Sequence, residues 1–329
     1  MKNVKWKMKN FNNFKSSFTL IEAIFVIVIL SFVLIGGFQI LSKLYVRNFI
    51  AKKTAEFEFQ SQQTLDQVAQ LLYYRVPLST IGYNPGHDFK YIGEINDNSY
   101  SVLEWIGYLN DAMVERNLSG FADLYASDKN NRILVARDFN TNFINEVLHN
   151  KYKSSKNIED LTAVIFAGSF DRGEEGALDN YNNSFGWHGN KHNYVFTVTD
   201  TTSTGNNDCN ITLDENITGK RIYEKFYLVD SAYAIALYKD IKNSWHCNDL
   251  DSNELHDNDL LLFYNYRPWL RETFCADNHG NHAGNVTLLA QNVAAFRVRK
   301  INSHLVFKIT MNKQKADINI TVSKQKVAF

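Results

Sequence analysis

From Phe18 to Leu41 the chain runs FTLIEAIFVIVILSFVLIGGFQIL, with Glu22 as its only charge and Thr19, Ser31 and Gln39 as its polar remainder. At about 1.5 Å per residue this run makes a helix of roughly 36 Å, enough to cross a bilayer core of about 30 Å. Beyond Lys43 the pattern changes. Val46, Ile50, Phe57, Leu65, Val68 and Leu72 recur at spacings near three, four and seven, while Arg47, Lys52, Lys53, Glu56, Glu58, Gln62 and Asp66 fill the other side. That periodicity predicts an amphipathic helix laying one stripe on a domain. It should end before Pro77, because the residue preceding a proline disfavours the helical conformation. The whole helix, residues 18 to 75, would exceed about 80 Å. Gly36-Gly37 lies inside its apolar half, where glycine costs about 1 kcal/mol relative to alanine. Local softening and close packing against a neighbouring helix are equally good reasons for the pair.

Further on the pattern is mixed, then increasingly β-rich. Leu103, Ile106, Leu109 and Val114 predict a helix over 100–117, and a short helix is expected over 142–152. Ile133–Ala136, Thr162–Phe166, Tyr194–Thr199 and Phe226–Tyr238 read as strands. Gly168 to Asn193 is rich in Gly, Asn and Asp and reads as loop. Leu260–Tyr266 and Trp269–Phe274 flank Arg267-Pro268, which suggests a hairpin. Val286–Ala290, Ala295–Ile301, Leu305–Met311 and Ile318–Ser323 follow at short spacings and predict an antiparallel sheet. The fold class is therefore α+β, a long N-terminal helix packed on an antiparallel sheet domain.

Composition sharpens this picture in two ways. The chain has 23 Phe and 17 Tyr but only 3 Pro, a balance that favours ordered sheet and helix over linker. Lys+Arg and Asp+Glu are both 35, against the basic excess usual in general nucleic-acid binders. The neutrality hides an asymmetry, because Lys2, Lys5, Lys7, Lys9 and Lys15 precede Phe18 with no acid among them. Setting those five aside leaves 30 basic residues against 35 acidic. By the positive-inside rule the lysines mark the cytoplasmic side, and everything after Lys43 is expected across the membrane.

A secretory signal peptide would have a shorter apolar core and a small-residue cleavage pattern after it. A plain signal anchor fits the length but leaves Glu22 unexplained, and a carboxylate in lipid costs on the order of 3 kcal/mol. Ser17-Phe18-Thr19-Leu20-Ile21-Glu22 after a short basic leader resembles the processing site of type IV prepilins and type II secretion pseudopilins. The resemblance implies a cut between Ser17 and Phe18 by a prepilin peptidase, with methylation of the new amine. It also implies an assembly role for Glu22, whose carboxylate would neutralise the N-terminal amine of an adjacent subunit. The family usually has Gly before the cut, where this chain has Ser17. Leu288–Val298, set between a Tyr-rich hairpin and a closing strand, is similar to minor pseudopilins of the J type and related minor pilins. Together these resemblances cover the first 75 and the last 70 or so residues. They imply four regions: a cleaved leader over 1–17, a transmembrane half-helix over 18–43, an amphipathic half over 44–76, and an extracytoplasmic domain over 77–329 with an enlarged middle.

Other chemistry is sparse. No G-x-x-x-x-G-K, H-E-x-x-H, G-x-S-x-G or C-x-x-C occurs, so nothing here argues for an enzyme. Asp249, Asp251 and Asn253 match the opening of a calcium loop, since oxygen ligands at alternate positions can converge on one cation. Glu254 stands where such a loop needs glycine, and a solvated acidic loop is the competing reading; no other cofactor is expected. Cys275, His279 and His282, with His246-Cys247, have tolerable spacing for zinc or copper. Outside the cytoplasm a disulfide is the stronger expectation. A Cys247–Cys275 bond would bracket the polar loop, with Cys209 as the alternative partner. Arg297, Arg299, Lys300, Lys308, Lys313, Lys315, Lys324 and Lys326 crowd the C-terminal strands and would attract DNA phosphates or an acidic subunit if they shared one face.

The expected function is a minor pilin or pseudopilin that primes, or lies near the tip of, a secretion, competence or pilus filament. Its expected partners are prepilin peptidase, other minor subunits and the inner membrane. A tip adhesin or DNA-capturing module on the same scaffold is the alternative.

Overall fold

The computed structural model describes residues 19–97, 99–168, 181–205, 207–220, 222–243, 254–275, 284–302, 304–315 and 318–328. The chain divides into two units, one ending at Ala55 and the other running Glu56–Phe329. Helix α1 (Leu20–Tyr73) contributes to both. In the second unit its Phe57, Ser61, Thr64, Leu65, Val68 and Leu72 are buried, a three-and-four stripe that continues to the helix end. Val46 and Ile50, expected in the same stripe, lie in the first unit and are not buried; Ile50 is exposed. The helix stops at Tyr73, as the proline at position 77 requires, and the next residues join a sheet: Val76 N–H donates to the Ile106 carbonyl and Tyr108 N–H to that of Tyr74.

Strands β1 (Ile81–Tyr83), β2 (Phe89–Tyr91) and β3 (Val102–Tyr108) come next, then α2 (Asn110–Val114), β4 (Leu118–Asp128), β5 (Ile133–Phe139), α3 (Thr141–Tyr152), α4 (Ile158–Leu161) and β6 (Ala163–Phe166). They are followed by β7 (Phe196–Gly205), β8 (Asp208–Leu213), β9 (Phe226–Leu237), α5 (Tyr238–Ile241), β10 (Leu260–Tyr266) and β11 (Asn285–Ala290). These eleven strands form one antiparallel sheet in the order β2-β1-β3-β9-β6-β7-β8-β5-β4, with β10 pairing both β9 and β11. A separate antiparallel meander of β12 (Val293–Ile301), β13 (His304–Lys315) and β14 (Ile318–Ala328) completes the fold.

β9 is the hub. One edge pairs with β3, and the other is shared by β6, at residues 226–229, and β10, at residues 232–237. The ladder on that second edge is therefore interrupted at Asp230 and Ser231. Side chains take over there: Ser231 Oγ accepts from Asn265 N–H at 2.9 Å and donates to the Ala232 carbonyl. The enlarged middle of the chain supplies β4, β5, β7 and β8, whose inner face carries a core with α3 and α4. Leu134, Phe139, Ile144, Leu148, Ile158 and Ile211 are among its buried members.

Two expectations fail here. The helix expected over 100–117 is β3 followed by the single turn of α2. β3 is buried on both faces, so its apolar residues do not alternate, and short apolar runs look alike in helix and strand. The hairpin expected around Arg267-Pro268 does not form. Pro268–Leu270 makes a 3₁₀ turn, and β10 finds its partners in β9 and β11, which are remote in sequence.

Candidate functional site

The first turn of α1 is built from its own sequence. Thr19 Oγ1 accepts from Glu22 N–H at 3.4 Å, and the Thr19 carbonyl accepts from Ala23 N–H at 3.2 Å. Thr-Leu-Ile-Glu is the residue order of a capping box, and a carboxylate in the first turn also faces the positive end of the helix dipole. Glu22 thus has a local role at the helix start, and its side chain is exposed. Ser31 Oγ donates to the Ile27 carbonyl at 2.7 Å, so this hydroxyl is satisfied within the helix. Ile24, Phe25, Ile27, Phe32, Val33, Leu34, Phe38 and Leu41 are all exposed. Among the described residues α1 is the one helix long and apolar enough to span a membrane. A contiguous apolar surface of this extent marks lipid or partner contact. The helix passes unbroken through Gly36 and Gly37, where an added Cβ would meet nothing within 4 Å, so contacts within the chain do not explain that pair.

In the second unit α1 is held by the C-terminal meander. Lys326 on β14 pairs with Asp66, and this hydrogen bond holds the Asp66 carboxyl below the usual range. Gln63, Thr64 and Gln67 line a shallow cleft against Leu288, Leu289 and Gln291 of β11 and its turn.

Two buried polar clusters lie deeper. In the first, Glu104 on β3 is 1% exposed and has both oxygens occupied: Oε1 by His188 Nε2 at 2.8 Å and Oε2 by the Tyr266 hydroxyl at 2.8 Å. Tyr266 comes from β10, on the far side of β9. The intervening partners are Ala232 and Ala234, whose methyl groups leave room for the reach. His188 stacks on Tyr83 with ring centroids 3.8 Å apart and borders an open cavity of about 420 Å³ with His87, Asp88 and Arg271. Its turn is left-handed at Gly186 (φ 82°), His188 (φ 51°) and Gly189 (φ 81°). Gly186 is required twice over, since a Cβ there would sit 2.7 Å from the Pro268 carbonyl oxygen. Gly186→Ala is expected to destabilise by about 2–4 kcal/mol, from positive φ plus backbone overlap, measured by denaturant unfolding.

In the second cluster Asp230, 1% exposed, fills the break in the β9 ladder. Its Oδ2 receives Lys151 Nζ at 2.6 Å and the Tyr152 hydroxyl at 2.7 Å, both from the last turn of α3. The Arg267 guanidinium lies 5.2 Å from the Tyr152 ring centroid and donates to the Leu161 carbonyl and to Glu272. Burial alone would push the Lys151 ammonium down, but the adjacent Asp230 carboxylate holds it above the ordinary lysine range. Burial, reinforced by Asp230, also raises the Tyr152 phenol. The cluster pins the middle region to the hub strand.

No family model matches this chain, and no curated protein or solved structure matches it either.

The residues singled out from the sequence are distributed unevenly. Ser17 and Phe18 lie outside the described residues, as do Cys247, Asp249, Asp251, Asn253 and the three histidines weighed for zinc or copper. Cys275 is buried and disulfide-bonded, whereas Cys209 is a buried free thiol pushed up to about 11 by burial. Among the described residues no three metal-ligating side chains converge. The acidic stretch after 253 is instead used locally: Asp257 pairs with Lys242 at 2.5 Å, and buried Asp259 accepts from His256 N–H at 2.9 Å. The eight basic residues do not share a face. Arg297 and Lys308 are cross-strand partners on the outward side, whereas Lys324 and Lys326 pair with the core residues Ile309 and Phe307 and so face α1. Glu104, His188, Tyr266, Lys151 and Asp230 carried no sequence signal beyond a lone carboxylate in the apolar run Val102–Tyr108, because their partners are 79 to 162 residues away.

Proposed function

We propose that the chain is a minor pilin or pseudopilin, a membrane-anchored structural subunit that primes or lies near the tip of an envelope-spanning filament. The observation that carries this reading is α1 itself. One helix has an apolar, exposed stretch from Leu20 onward and, from Phe57, a buried stripe on an antiparallel domain. Such a helix serves as an anchor and as a staff around which subunits pack. The domain after it lies outside the cytoplasm, and a disulfide at Cys275 suits an oxidising compartment. Partners are prepilin peptidase and other minor subunits, which present their own apolar helices to this one. The separately cored middle region favours one second reading, a tip adhesin on the same scaffold. Binding assays on surface-displayed chain, with and without that region, separate a ligand-binding tip from an assembly subunit.

The direct test is processing. Protein extracted from membranes of cells with an active prepilin peptidase should lack the first 17 residues and carry a methylated Phe18 by intact mass. A full-length chain in those cells overturns the proposal.

A further inference from the structure

An asparagine two residues before a serine or threonine is the acceptor pattern for N-linked glycans, provided no proline lies between. The chain has six: Asn117, Asn182, Asn210, Asn216, Asn285 and Asn319. Some oligosaccharyltransferases also read an acidic side chain two residues before the asparagine, through an ion pair. Glu115, Asp208, Asp214 and Asp317 hold that place before Asn117, Asn210, Asn216 and Asn319. Asp and Glu are 35 of 329 residues, so six acceptors placed without regard to charge would carry fewer than one such acid. Four carry it.

Geometry separates the four. Asn210 lies inside β8 with a ladder on each side. Asn319 lies in the β13–β14 ladder, its side-chain oxygen accepting from Asn312 at 2.7 Å, and Asp317 is outside the described residues. Asn117 commits its amide nitrogen to the Glu115 carbonyl at 3.0 Å and its side-chain oxygen to Asn140. Asn216 is free of these constraints, in the loop between β8 and β9. The loop is fixed at two points: Asp214 Oδ1 accepts from Thr197 N–H at 2.9 Å, and Ile217 enters the core at 1% exposure. Asn216 and Thr218, on either side of Ile217, are both exposed. Asn216 Oδ1 accepts from Thr218 N–H at 2.7 Å, a turn that occupies the amide oxygen. Among the described residues neither Asn216 Nδ2 nor Asp214 Oδ2 has a hydrogen bond, so the nitrogen that must react and the oxygen that must meet a cation are both uncommitted.

We propose that Asn216 is an N-glycosylation site, read together with Asp214 and Thr218 by an oligosaccharyltransferase whose donor is an oligosaccharide on a polyprenyl diphosphate. Asn216 Nδ2 attacks the anomeric carbon of the first sugar. The C–N bond forms, the C–O bond to the diphosphate breaks, the lipid diphosphate leaves, and Nδ2 gives one proton to a base of the enzyme. The proposal shares with the filament reading only the placement of the domain across the membrane, where such donors are used.

The test is mass spectrometry of peptides from the full chain, extracted from membranes of the cells that make it. Electron-transfer fragmentation should place a sugar mass on Asn216 in most molecules. Asn216→Gln and Thr218→Ala should lose it, and Thr218→Ser should keep it. Asp214→Asn keeps an acceptor for Thr197 N–H but removes the charge, so it should lower occupancy at least tenfold with circular dichroism unchanged. An Asp214→Asn chain modified as fully as wild type overturns the reading of the acid, and a sugar on Asn210 in place of Asn216 overturns the choice of site. The same digest reports the disulfide at Cys275. Unmodified Asn216 with Cys275 oxidised overturns this proposal alone, whereas unmodified Asn216 with Cys275 reduced overturns it together with the placement of the domain.

Discussion

Lys151→Met is expected to destabilise the second unit by about 3–5 kcal/mol, because it leaves the Asp230 carboxylate buried without its cation. On a domain of this size that lowers Tm by roughly 6–20 °C. Asp230→Asn should cost less, although it removes the same ion pair. The reason is exposure: the Lys151 side chain is 29% exposed and can swing its ammonium to water, whereas that of Asp230, at 1%, has nowhere to go. Tyr152 also keeps an acceptor in the asparagine carbonyl. The double variant should recover part of the Lys151→Met loss, and the coupling energy from the full cycle isolates the pair. Equal losses from the two single variants would mean that the cluster is not a charge-desolvation knot.

The same cluster sets an alkaline limit. Lys151 and Tyr152 both have folded-state pKa values above those of the unfolded chain. The unfolded chain therefore gives up these protons first, at about pH 10 to 10.4, while the folded protein holds them. The stability they contribute is complete below that range and is lost progressively as pH rises beyond it toward the folded-state values. In Asp230→Asn this alkaline loss should be shallower, as read from denaturant midpoints between pH 8 and 11.

Much of the fold was legible because local rules governed it. α1 was marked by apolar length, by a three-and-four stripe and by Pro77, and the C-terminal meander by successive short strands, although the first of the four expected there, Val286–Ala290, pairs with β10 in the large sheet instead. Helix α3 was legible at residues 142–152; it begins one residue earlier, at Thr141, where Asn140 caps it by accepting from Phe143 N–H. What escaped was decided at long range. β3 was misread because burial on both faces erases alternation. β10 was given its nearest neighbour in sequence as partner instead of β9 and β11. Neither buried cluster could be found, since nothing in Leu103-Glu104-Trp105 announces a histidine 84 residues on and a tyrosine 162 residues on. The basic residues near the C-terminus were visible as a composition, but the strand register that splits them between two faces was not.

Replacing Glu22 separates the two roles that its position gives it. Locally it is the acidic member of a Thr19–Glu22 first turn, where loss of the carboxylate costs about 0.3–1 kcal/mol. In the proposed filament it is the counter-charge to a neighbouring subunit's N-terminal amine, and breaking such a pair away from water costs about 3–5 kcal/mol. At about 1.4 kcal/mol per tenfold, that is a weakening of roughly two to three and a half orders of magnitude in subunit association. Glu22→Gln preserves the capping-box order and much of the first-turn geometry but removes the charge. Glu22→Val removes both. If the local role is the whole of it, Glu22→Gln should behave as wild type and Glu22→Val should show only a modest defect. If the assembly role holds, both variants insert and fold, since each removes a charge from an apolar segment, and both lose co-purification with other minor subunits and filament initiation to a similar degree. Filament counts and pull-downs from cells expressing each variant at matched levels decide between the two. A Glu22→Gln chain that assembles as well as wild type removes the carboxylate from the subunit interface and leaves α1 as a plain membrane anchor.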